Sequence, residues 1–393
     1  MNILYFCNVN RTLPLESGVY KKVVSQCKIL RNEGHNIYLA SRTGVGYFDI
    51  INENGKILVN INISQISRFR RERVLFNELE NFCSENNIEA IYSRYSNYNF
   101  RVHCFYKRLK KKGICVLLEI PTYPFNQRWM SLRQNIKGRH YIVALKQLYS
   151  NTLGTAGALF FKKSVDRIVN NNGFEEIWHI PVLQINNGID VKSIPVRKHL
   201  YQHNKVIKLI TVANVANWHG FDRVLLGLNE FYKRERDVKV YFDIVGPGQE
   251  IEILTKLTKK YNIEEFVKFR GVLVGKELDA IFDEADLGVA ILGIHRNNMK
   301  EIDCLKSREF CARKLPFITQ SAEKHFRNKS FVYCAPSDET PLNIEEVVDF
   351  YYKIIQNPSI FDEMYDFALK YCDWSYTFKS VCDYLKIEYK IIN

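Results

Sequence analysis

Short apolar runs separated by amphipathic stretches make up the first half of the chain. Residues 2–7 and 36–40 are apolar runs of strand length. Between them, apolar side chains recur at helical spacing, at Val19, Val23, Cys27 and Leu30. This order predicts a strand, a helix ending at Gly34 and a second strand, which together form a βαβ unit with parallel strands. Further runs at 88–94 and 114–119 extend the predicted sheet.

The second half repeats this pattern after a polar stretch at 192–205. A strand is predicted at 207–212 and a helix at 221–234. Four more strands are predicted, at 241–245, 266–269, 287–292 and 315–319. Alternating strands and helices in both halves predict an α/β fold with two Rossmann-like domains, and the polar stretch places the domain boundary near 195.

Length and composition agree with two soluble domains. A chain of 393 residues is too long for one ordinary core, and 46% apolar with 25% charged residues is typical of globular proteins. The ten cysteines include no C-x-x-C pair and several lie in apolar runs, so we predict buried free thiols in a reducing compartment. No stretch of 18 apolar residues occurs and the apolar opening is too short for a signal peptide, so we expect a cytoplasmic location.

The net charge of +13 is concentrated in the first half. Residues 1–190 hold 26 Lys and Arg against 14 Asp and Glu, whereas residues 191–393 hold 30 against 29. The asymmetry indicates an anionic partner for the first half: an anionic membrane surface, a phosphorylated acceptor or a nucleic acid, the last disfavoured because no recognition module is present. The basic amphipathic segment 129–149 either lies on such a membrane or packs on the sheet as an ordinary helix.

Two glutamates lie eight positions apart where a predicted strand gives way to a helix. Glu301 precedes a helix predicted to begin at Leu305, and Glu309 lies two turns into that region. Eight helical steps span about 12 Å, so the two carboxylates could hold opposite ends of an extended ligand. The free N–H groups at the helix start, around Cys304, and the Lys306 ammonium between the glutamates suit a diphosphate. A sugar nucleotide carries sugar hydroxyls, a diphosphate and ribose hydroxyls along its length, so the stretch agrees with a nucleotide-sugar site. The alternative is that the two glutamates lie on a solvated helix face.

Candidate groups also lie beside strands of the first half, because open α/β sheets bind ligands at the carboxyl ends of their strands. Glu119 ends a buried strand there and is a candidate acceptor-side base or orienting group. The alternative is an acid satisfied by loop amides. Gly18 precedes the first predicted helix, where it either relieves a tight turn or lets an acceptor approach the backbone.

Several short motifs follow one another in a fixed order along nearly the whole chain. Besides Glu301 and Glu309 they are Ser17-Gly18-Val19, Gly34-His35, Asn187-Gly188-Ile189-Asp190, Val245-Gly246-Pro247-Gly248, Phe269-Arg270-Gly271-Val272 and Ala285-Asp286. Their order and spacing resemble those of the family 4-like retaining glycosyltransferases, in particular those that assemble bacterial capsules and exopolysaccharides. That resemblance implies the GT-B fold, in which two Rossmann-like domains face each other across a cleft.

The resemblance also implies roles for the two domains. Residues 1–195, completed by the tail 376–393, would bind the acceptor, and residues 196–375 would bind a UDP- or GDP-sugar donor. The implied donor-binding residues are Glu309, Lys306, Leu305, Cys304, His219, Asn214, Gly246, Arg270 and Gly271. The implied catalytic residues are Glu301 and Glu119, and the implied acceptor-binding residues are Gly18, Ser17 and Tyr123. The implied reaction moves the sugar with retention to a hydroxyl of a lipid-linked glycan, without metal or cofactor, at the cytoplasmic face of a membrane.

One departure from the family pattern concerns the donor phosphates. Typical members carry an arginine and a lysine after the first strand of the second domain, and Asn214 and His219 occupy those positions here. His219 could donate a hydrogen bond to phosphate when neutral or pair with it when charged. Two alternatives stay open. One is a phosphorylase or epimerase that acts on nucleotide sugars with the same architecture. The other is a non-catalytic binding protein or partner subunit, which the loss of two fixed charges supports and the retention of both glutamates opposes.

Overall fold

The chain folds into two compact α/β units. The structure is a computed structural model that describes all residues except 14–16, 96–97, 122, 124–131, 134, 137, 172, 199–204, 298, 300, 321–322, 324 and 389–393. The N-terminal unit comprises Met1–Asn186 and Thr377–Asn393, and the C-terminal unit comprises Asn187–Tyr376. The sequence prediction had put the boundary near 195 and the returning tail at 376.

The N-terminal unit is built on a mixed sheet. Its strands are β1 (Asn2–Asn10), β2 (Asn36–Gly44), β3 (Tyr47–Ile51), β4 (Ile57–Asn62), β5 (Ala90–Arg94), β6 (Cys115–Glu119), β7 (Arg167–Asn170), β8 (Glu176–Ile177) and β9 (Ile180–Gln184). In the described residues their order is β4-β3-β2-β1-β5-β6-β7-β9-β8. The strands from β2 through β1, β5, β6 and β7 to β9 are parallel, whereas β3, β4 and β8 pair antiparallel at the two edges. The predicted βαβ unit forms the centre of this sheet.

The hairpin of β3 and β4 was missed by the sequence analysis. A turn containing Asn54 and Gly55 joins the two strands, and Gly55 has a φ of +74°. An Asn-Gly pair between apolar runs is the signal that could have revealed it, since both residues tolerate the left-handed backbone of a tight turn.

The main helices of this unit are α1 (Ser17–Asn32), α2 (Arg68–Glu85), α3 (Phe100–Lys111) and α4 (Tyr141–Ala158). A hydrophobic core lies between the sheet and helices α2 and α3, where Phe6, Ile91, Phe105 and Leu118 are fully buried. The basic end of α3 is largely neutralised, because Arg108 and Lys112 both pair with Glu80 and Lys110 pairs with Asp166.

The C-terminal unit has a wholly parallel sheet. Its strands are β10 (Val206–Val212), β11 (Lys239–Val245), β12 (Val267–Gly271), β13 (Leu287–Val289), β14 (Phe317–Gln320) and β15 (Val332–Ala335), in the order β12-β11-β10-β13-β14-β15. Its main helices are α5 (Phe221–Phe231), α6 (Ile251–Lys260), α7 (Lys276–Glu284), α8 (Leu305–Ala312), α9 (Ile344–Ile355) and α10 (Ser359–Phe367). The order reverses between β10 and β13, and such a reversal is where doubly wound sheets open a crevice for ligands.

The chain then returns to the N-terminal unit through two short helices, α11 (Trp374–Thr377) and α12 (Lys379–Asp383), and a π-helical turn at Tyr384–Glu388. Ser380 donates a hydrogen bond to the Gln184 carbonyl at 2.6 Å, and the Arg167 guanidinium lies 4.8 Å from the centre of the Tyr384 ring. These contacts attach the tail to the β7–β9 side of the first sheet.

These findings confirm the predicted fold class, α/β with two Rossmann-like domains. All ten cysteines are free, and all but Cys104 and Cys334 are buried, as predicted. Among the described residues, no helix is both long and apolar enough to cross a membrane.

Candidate functional site

Two loops at the carboxyl edge of the second sheet pack tightly on each other. Gly246, at the end of β11, has a φ of +115°, and a Cβ placed on it would lie 2.0 Å from the Ala213 carbonyl oxygen. Gly248 leaves a similar 2.1 Å between its would-be Cβ and the Val215 oxygen. The predicted glycine turn therefore has a structural role: it lets the loop after β10 lie directly against the loop after β11.

The loop after β10 carries His219 to the switch point. Residues Asn217–His219 form a short 3₁₀ helix, and Gly220 then turns the chain into α5 with a φ of +69°. A Cβ on Gly220 would lie 2.6 Å from the Leu292 carbonyl carbon in the loop after β13. Leu292 in turn donates its N–H to the His219 carbonyl at 2.9 Å. The loops after β10 and β13 are thus joined where the strand order reverses.

His219 is buried and neutral in this arrangement. Its imidazole stacks between Trp218, with ring centroids 4.0 Å apart, and Phe221, at 5.2 Å. Burial and the nearby Lys306 charge lower the pKa of His219 to about 3. Nδ1 accepts the Ala216 N–H at 3.0 Å, so the ring proton resides on Nε2, which remains able to donate. The geometry therefore favours the neutral, hydrogen-bonding role of the two roles expected for this histidine.

Helix α8 begins where the sequence predicts, at Leu305, and Asp303 anchors its start. The Asp303 carboxylate accepts the Asn187 N–H at 2.6 Å and pairs with the buried guanidinium of Arg308, one turn into the helix. The Asn187 side chain donates to the Asp303 carbonyl at 2.9 Å. The motif at 187–190 therefore holds the segment between Glu301 and the helix, a role that the sequence did not reveal because the partners are 116 positions apart.

A second acid, Glu323, lies beneath the start of α8. It is 1% exposed and accepts hydrogen bonds from the Ser307 hydroxyl at 2.6 Å, the Thr319 hydroxyl at 2.9 Å and the Cys304 N–H at 3.3 Å. Burial raises the pKa of Glu323 to about 7. Sequence analysis missed this residue, since it lies outside every motif and its hydroxyl partners come from α8 and β14.

Lys306 supplies an unpaired positive charge at the same place. Its ammonium is buried and has no hydrogen-bond partner among the described residues, and it lies 5.2 Å from the centre of the Phe221 ring. Burial lowers the pKa of Lys306 to about 8, so the group is mostly charged at neutral pH. A buried unpaired cation is costly, and such a group calls for an explanation such as an anionic ligand.

The two glutamates differ in their surroundings. Glu301 lies exposed in the loop before α8, as predicted. Glu309 is half-buried and lies one turn into α8, not two turns as predicted, because the helix begins at Leu305. Glu309 accepts hydrogen bonds from Arg313, whose guanidinium also pairs with Asp279 at 2.9 Å. Asn214 is exposed in the loop after β10. In the sequence, Cys304 and Leu305 at the start of α8 lie between Glu301 and Glu309, the two predicted ligand-binding carboxylates.

The end of β12, with Arg270 and Gly271, fits its predicted donor-binding role less well. Arg270 donates from Nε to Asp243 at 2.7 Å, and this partner raises the pKa of the guanidinium further. The side chain is thus held by a neighbouring strand, which leaves the backbone as the part of this segment best able to contact the donor. Gly271 has a φ of +67° and its carbonyl accepts the Gly246 N–H at 2.7 Å. Val272 beyond it is exposed.

In the N-terminal unit, Glu119 lies at the carboxyl end of β6 within a network of charges. Its carboxylate accepts hydrogen bonds from the Tyr92 hydroxyl at 2.8 Å and from Arg94 at 3.0 Å, and Lys22 pairs with it at 3.2 Å. Although burial opposes ionisation, the two cations lower the pKa of Glu119 to about 2. A 1% exposed carboxylate with this pKa is a poor proton acceptor at neutral pH. The geometry therefore favours the orienting role expected for Glu119 over the role of base.

The predicted acceptor-binding residues Ser17, Gly18 and Tyr123 have different surroundings. Helix α1 begins at Ser17, so Gly18 lies inside its first turn rather than before it, and its φ is not positive. The tight-turn explanation for Gly18 was therefore wrong. A Cβ on Gly18 would meet nothing within 4 Å, which leaves open space beside the backbone. Tyr123 packs edge to face on Phe174, with ring centroids 5.0 Å apart.

Searching the described residues for groups of His, Cys, Asp and Glu able to hold a metal ion finds none. The site in the C-terminal unit instead combines a helix start, a buried ammonium and a neutral imidazole. These groups can bind an anion through positive charge and hydrogen-bond donors.

Comparison with solved structures identifies the fold. The chain is similar to a glycosyltransferase from Rickettsia africae, with a TM-score of 0.64 and 12% identity over 100% of this chain and 98% of that one. It is also similar to sucrose-phosphate synthase from Thermosynechococcus elongatus, with a TM-score of 0.61 and 11% identity over 100% and 99%. A third similar structure, HepE from Anabaena in complex with UDP, has a TM-score of 0.57 and 10% identity over 98% and 99%.

The chain therefore has the GT-B fold, and the likeness spans essentially its full length. No protein-family model matches the sequence. No curated protein sequence matches it either.

Proposed function

We propose that this protein is a glycosyltransferase that transfers a sugar from a nucleoside diphosphate sugar to a hydroxyl of an acceptor. The observation that carries the proposal is the buried, unpaired Lys306 ammonium at the start of α8, next to His219 at the switch point of a Rossmann-like sheet. The GT-B fold supports it, and HepE, one of the similar structures, was solved with UDP-glucose. The donor proposed is a UDP- or GDP-sugar, bound in the C-terminal unit.

The chemistry follows from what the transition state needs. As the bond between the sugar and the diphosphate breaks, negative charge grows on the phosphate oxygens and positive charge on the sugar. Fixed donors aimed at the developing charge stabilise it without reorganising. The Lys306 ammonium, the Nε2–H of His219 and the N–H groups of Cys304 and Leu305 would stabilise the departing diphosphate, and Glu301 would bind the sugar hydroxyls.

We further propose retention of the anomeric configuration, without a metal ion or other cofactor. The acceptor proposed is a lipid-linked glycan of cell-surface polysaccharide assembly such as a capsule, reached by a cytoplasmic protein at the membrane surface. In the N-terminal unit, Glu119 would orient Lys22 and Arg94 at the carboxyl edge of the sheet, beside the open space at Gly18. NMR of the product distinguishes retention from inversion, and turnover in the presence of a chelator tests the need for metal.

Glu309 is proposed to bind the ribose hydroxyls of the donor, and substitution of this residue tests the donor site. We expect one nucleotide among UDP-, GDP- and ADP-sugars to raise the melting temperature of the protein, and Glu309→Ala to weaken its binding about tenfold, the effect of losing about 1.4 kcal/mol of charge-assisted hydrogen bonding. Thermal shift and calorimetric titration measure both.

Asp279→Ala is the matched control, because Asp279 is the other carboxylate paired with Arg313. A loss of nucleotide affinity in Glu309→Ala but not in Asp279→Ala identifies ligand contact rather than a disturbed Arg313. Equal losses in both variants contradict the ribose role. Nucleotide binding without any turnover favours the alternative that the protein is a non-catalytic partner subunit, for which the replacement of an arginine and a lysine by Asn214 and His219 is the support.

A further inference from the structure

Helix α4 presents its apolar side chains outward. On its surface Tyr141, Ile142, Leu145 and Tyr149 are 60%, 71%, 66% and 68% exposed. The described side chains on its inner side are small or polar: Ala144 and Asn151 are buried and Gln147 is half-buried. A helix on a soluble surface ordinarily turns its apolar side to the core and its polar side to water. In the part of α4 whose side chains the structure describes, the large apolar side chains are exposed instead.

The exposed apolar surface continues beyond the helix. Leu159 and Phe160 follow α4 and are also exposed, and the Phe160 ring packs edge to face on exposed Phe100 at the start of α3, with centroids 5.7 Å apart. We call the side chains of Tyr141, Ile142, Val143, Leu145, Leu148, Tyr149, Leu159, Phe160 and Phe100 the outward apolar face. Single exposed apolar residues are normal on proteins, but nine of them on one helix and the residues beside it indicate an interaction surface.

The charge around this face is uniformly positive in the sequence. From residue 120 to residue 165 the chain contains no Asp or Glu. Its cations there are Arg128, Arg133, Lys137, Arg139, Lys146, Lys162 and Lys163. Of these, the described side chains of Arg133, Arg139, Lys146, Lys162 and Lys163 are all exposed.

We propose that the outward apolar face docks on a lipid bilayer that contains anionic lipids, with α4 lying in the plane of the interface. Apolar side chains, tyrosines and a surplus of Lys and Arg together are what such an interfacial helix requires. A second copy of the chain is the less favoured occupant, because pairing two such faces would bring two clusters of cations together. The inference deepens the proposed function, since a lipid-linked acceptor lies in a bilayer, but its observations are independent of the donor site.

The test is flotation of the full chain with two kinds of vesicle, phosphatidylcholine alone and phosphatidylcholine mixed with phosphatidylglycerol. We expect binding to the mixed vesicles, weakened by added salt because exposed charges are screened. Replacing both Ile142 and Leu145 with serine is expected to reduce the partition coefficient at least tenfold. Burying the apolar surface of either side chain in the bilayer would by itself raise this coefficient more than tenfold. Lys146→Glu is expected to weaken binding to the anionic vesicles specifically.

The control replaces Val45 and Ile57 with serine, two exposed apolar residues beside the β2–β3–β4 edge of the same unit. This variant is expected to bind vesicles like the wild type. Failure of the wild type to bind anionic vesicles, or equal binding by the Ile142/Leu145 variant, overturns the proposal. A dimer in solution that the Ile142/Leu145 variant abolishes assigns the face to a second copy instead.

Nucleotide binding is measured on the same samples. A variant that loses vesicle binding but keeps its nucleotide thermal shift is folded and has a normal donor site. If the wild type binds vesicles but no nucleotide sugar, the proposed function is contradicted and the proposed membrane-binding surface is supported.

Discussion

Replacing Lys306 with methionine is expected to lower kcat for sugar transfer by about 10²–10³-fold, the usual effect of removing one preorganised donor to a developing negative charge. Methionine keeps the unbranched shape of the side chain and removes the charge. Because the ammonium is buried without a partner, its loss should not destabilise the fold, and the melting temperature of the free protein should stay equal or rise. The substitution is thus expected to lower activity without lowering stability.

The pH profile of the wild type gives an independent readout. Since burial lowers the pKa of Lys306 to about 8, kcat/KM is expected to fall as pH rises through about 8, when the ammonium of the free protein loses its proton. His219, with a pKa of about 3, stays neutral over the whole neutral range and adds no such step. The alkaline fall should be absent from the residual activity of Lys306→Met.

Steady-state kinetics and thermal melts of three proteins measure this: the wild type, Lys306→Met and Lys256→Met. Lys256 lies in the same unit, exposed on α6 and paired with Glu252, so its replacement should change neither kcat nor the melting temperature appreciably. A kcat within threefold of the wild type in Lys306→Met would mean that the ammonium does not face the reacting phosphates. A large fall in its melting temperature would mean that the charge has a structural partner.

The apolar periodicity of the chain was sufficient to predict the fold class and the start of α8. The central strands β1, β5, β6 and β11 are runs of mostly buried residues, and helix α1 repeats its apolar positions at helical spacing, so local pattern and global topology agree there. The boundaries were less accurate. Helix α1 starts at Ser17 because a glycine in the first turn is compatible with helical backbone, and the pattern of apolar residues begins only at Val19.

The side-chain network of the candidate site was predicted only in part. Glu301, Lys306 and Glu309 were visible because they share one short stretch, whereas Asp303 acts through Asn187 and Glu323 through Ser307. Those contacts join residues that are close only after the loops at the sheet edge have packed. Arg270 shows the converse, since its pairing with Asp243 on the neighbouring strand is set by register and not by its own motif.

Helix α4 was the least predictable element. Its apolar residues do not follow a clear stripe, and part of the segment predicted to be amphipathic, 129–149, lies outside the described residues. Only the three-dimensional structure shows that Ala144 and Asn151 are buried while the large apolar side chains described beside them are exposed. The sequence left open whether this segment packs on the sheet or lies on a membrane, and exposure, not periodicity, favours the second.

Replacing Glu119 with glutamine is expected to destabilise the N-terminal unit by about 3–5 kcal/mol, the usual cost of removing one partner from a buried ion pair. Glutamine keeps the size of the side chain, but it leaves Lys22 and Arg94 without their anion in a site where they are only 11% and 13% exposed. The amide can accept the Tyr92 hydroxyl in place of the carboxylate. The loss should therefore come from the two cations and not from packing.

The dependence on pH follows from the depressed pKa of Glu119. A free glutamate ionises near pH 4.5, whereas Glu119 in the fold ionises near pH 2, so the folded state binds fewer protons between these values. Its contribution to stability is complete above about pH 4.5 and is lost as pH falls toward about 2. The wild type should show this acid-side loss, and Glu119→Gln should lack the part of it that belongs to this carboxylate.

Glu323→Gln is the matched comparison, because Glu323 is an equally buried glutamate whose hydrogen-bond partners are neutral groups. Its pKa is raised to about 7, so the folded state binds more protons than the unfolded chain, and stability falls as pH rises from about 4.5 to about 7. Glutamine resembles the protonated acid. At pH 8 this variant should be at least as stable as the wild type, while Glu119→Gln is much less stable.

Hydrogen exchange of the amides in β6 and in α8 gives each substitution a local readout, which a chain of two units requires because one melting temperature can hide the weaker unit. We expect β6 to lose protection in Glu119→Gln and α8 to keep or gain it at pH 8 in Glu323→Gln. If Glu119→Gln keeps the stability of the wild type at pH 8, as is expected for Glu323→Gln, burial alone governs both carboxylates. In that case Lys22 and Arg94, at the edge of the first sheet, do not depend on Glu119 for their position. The orienting role proposed for Glu119 would then be wrong.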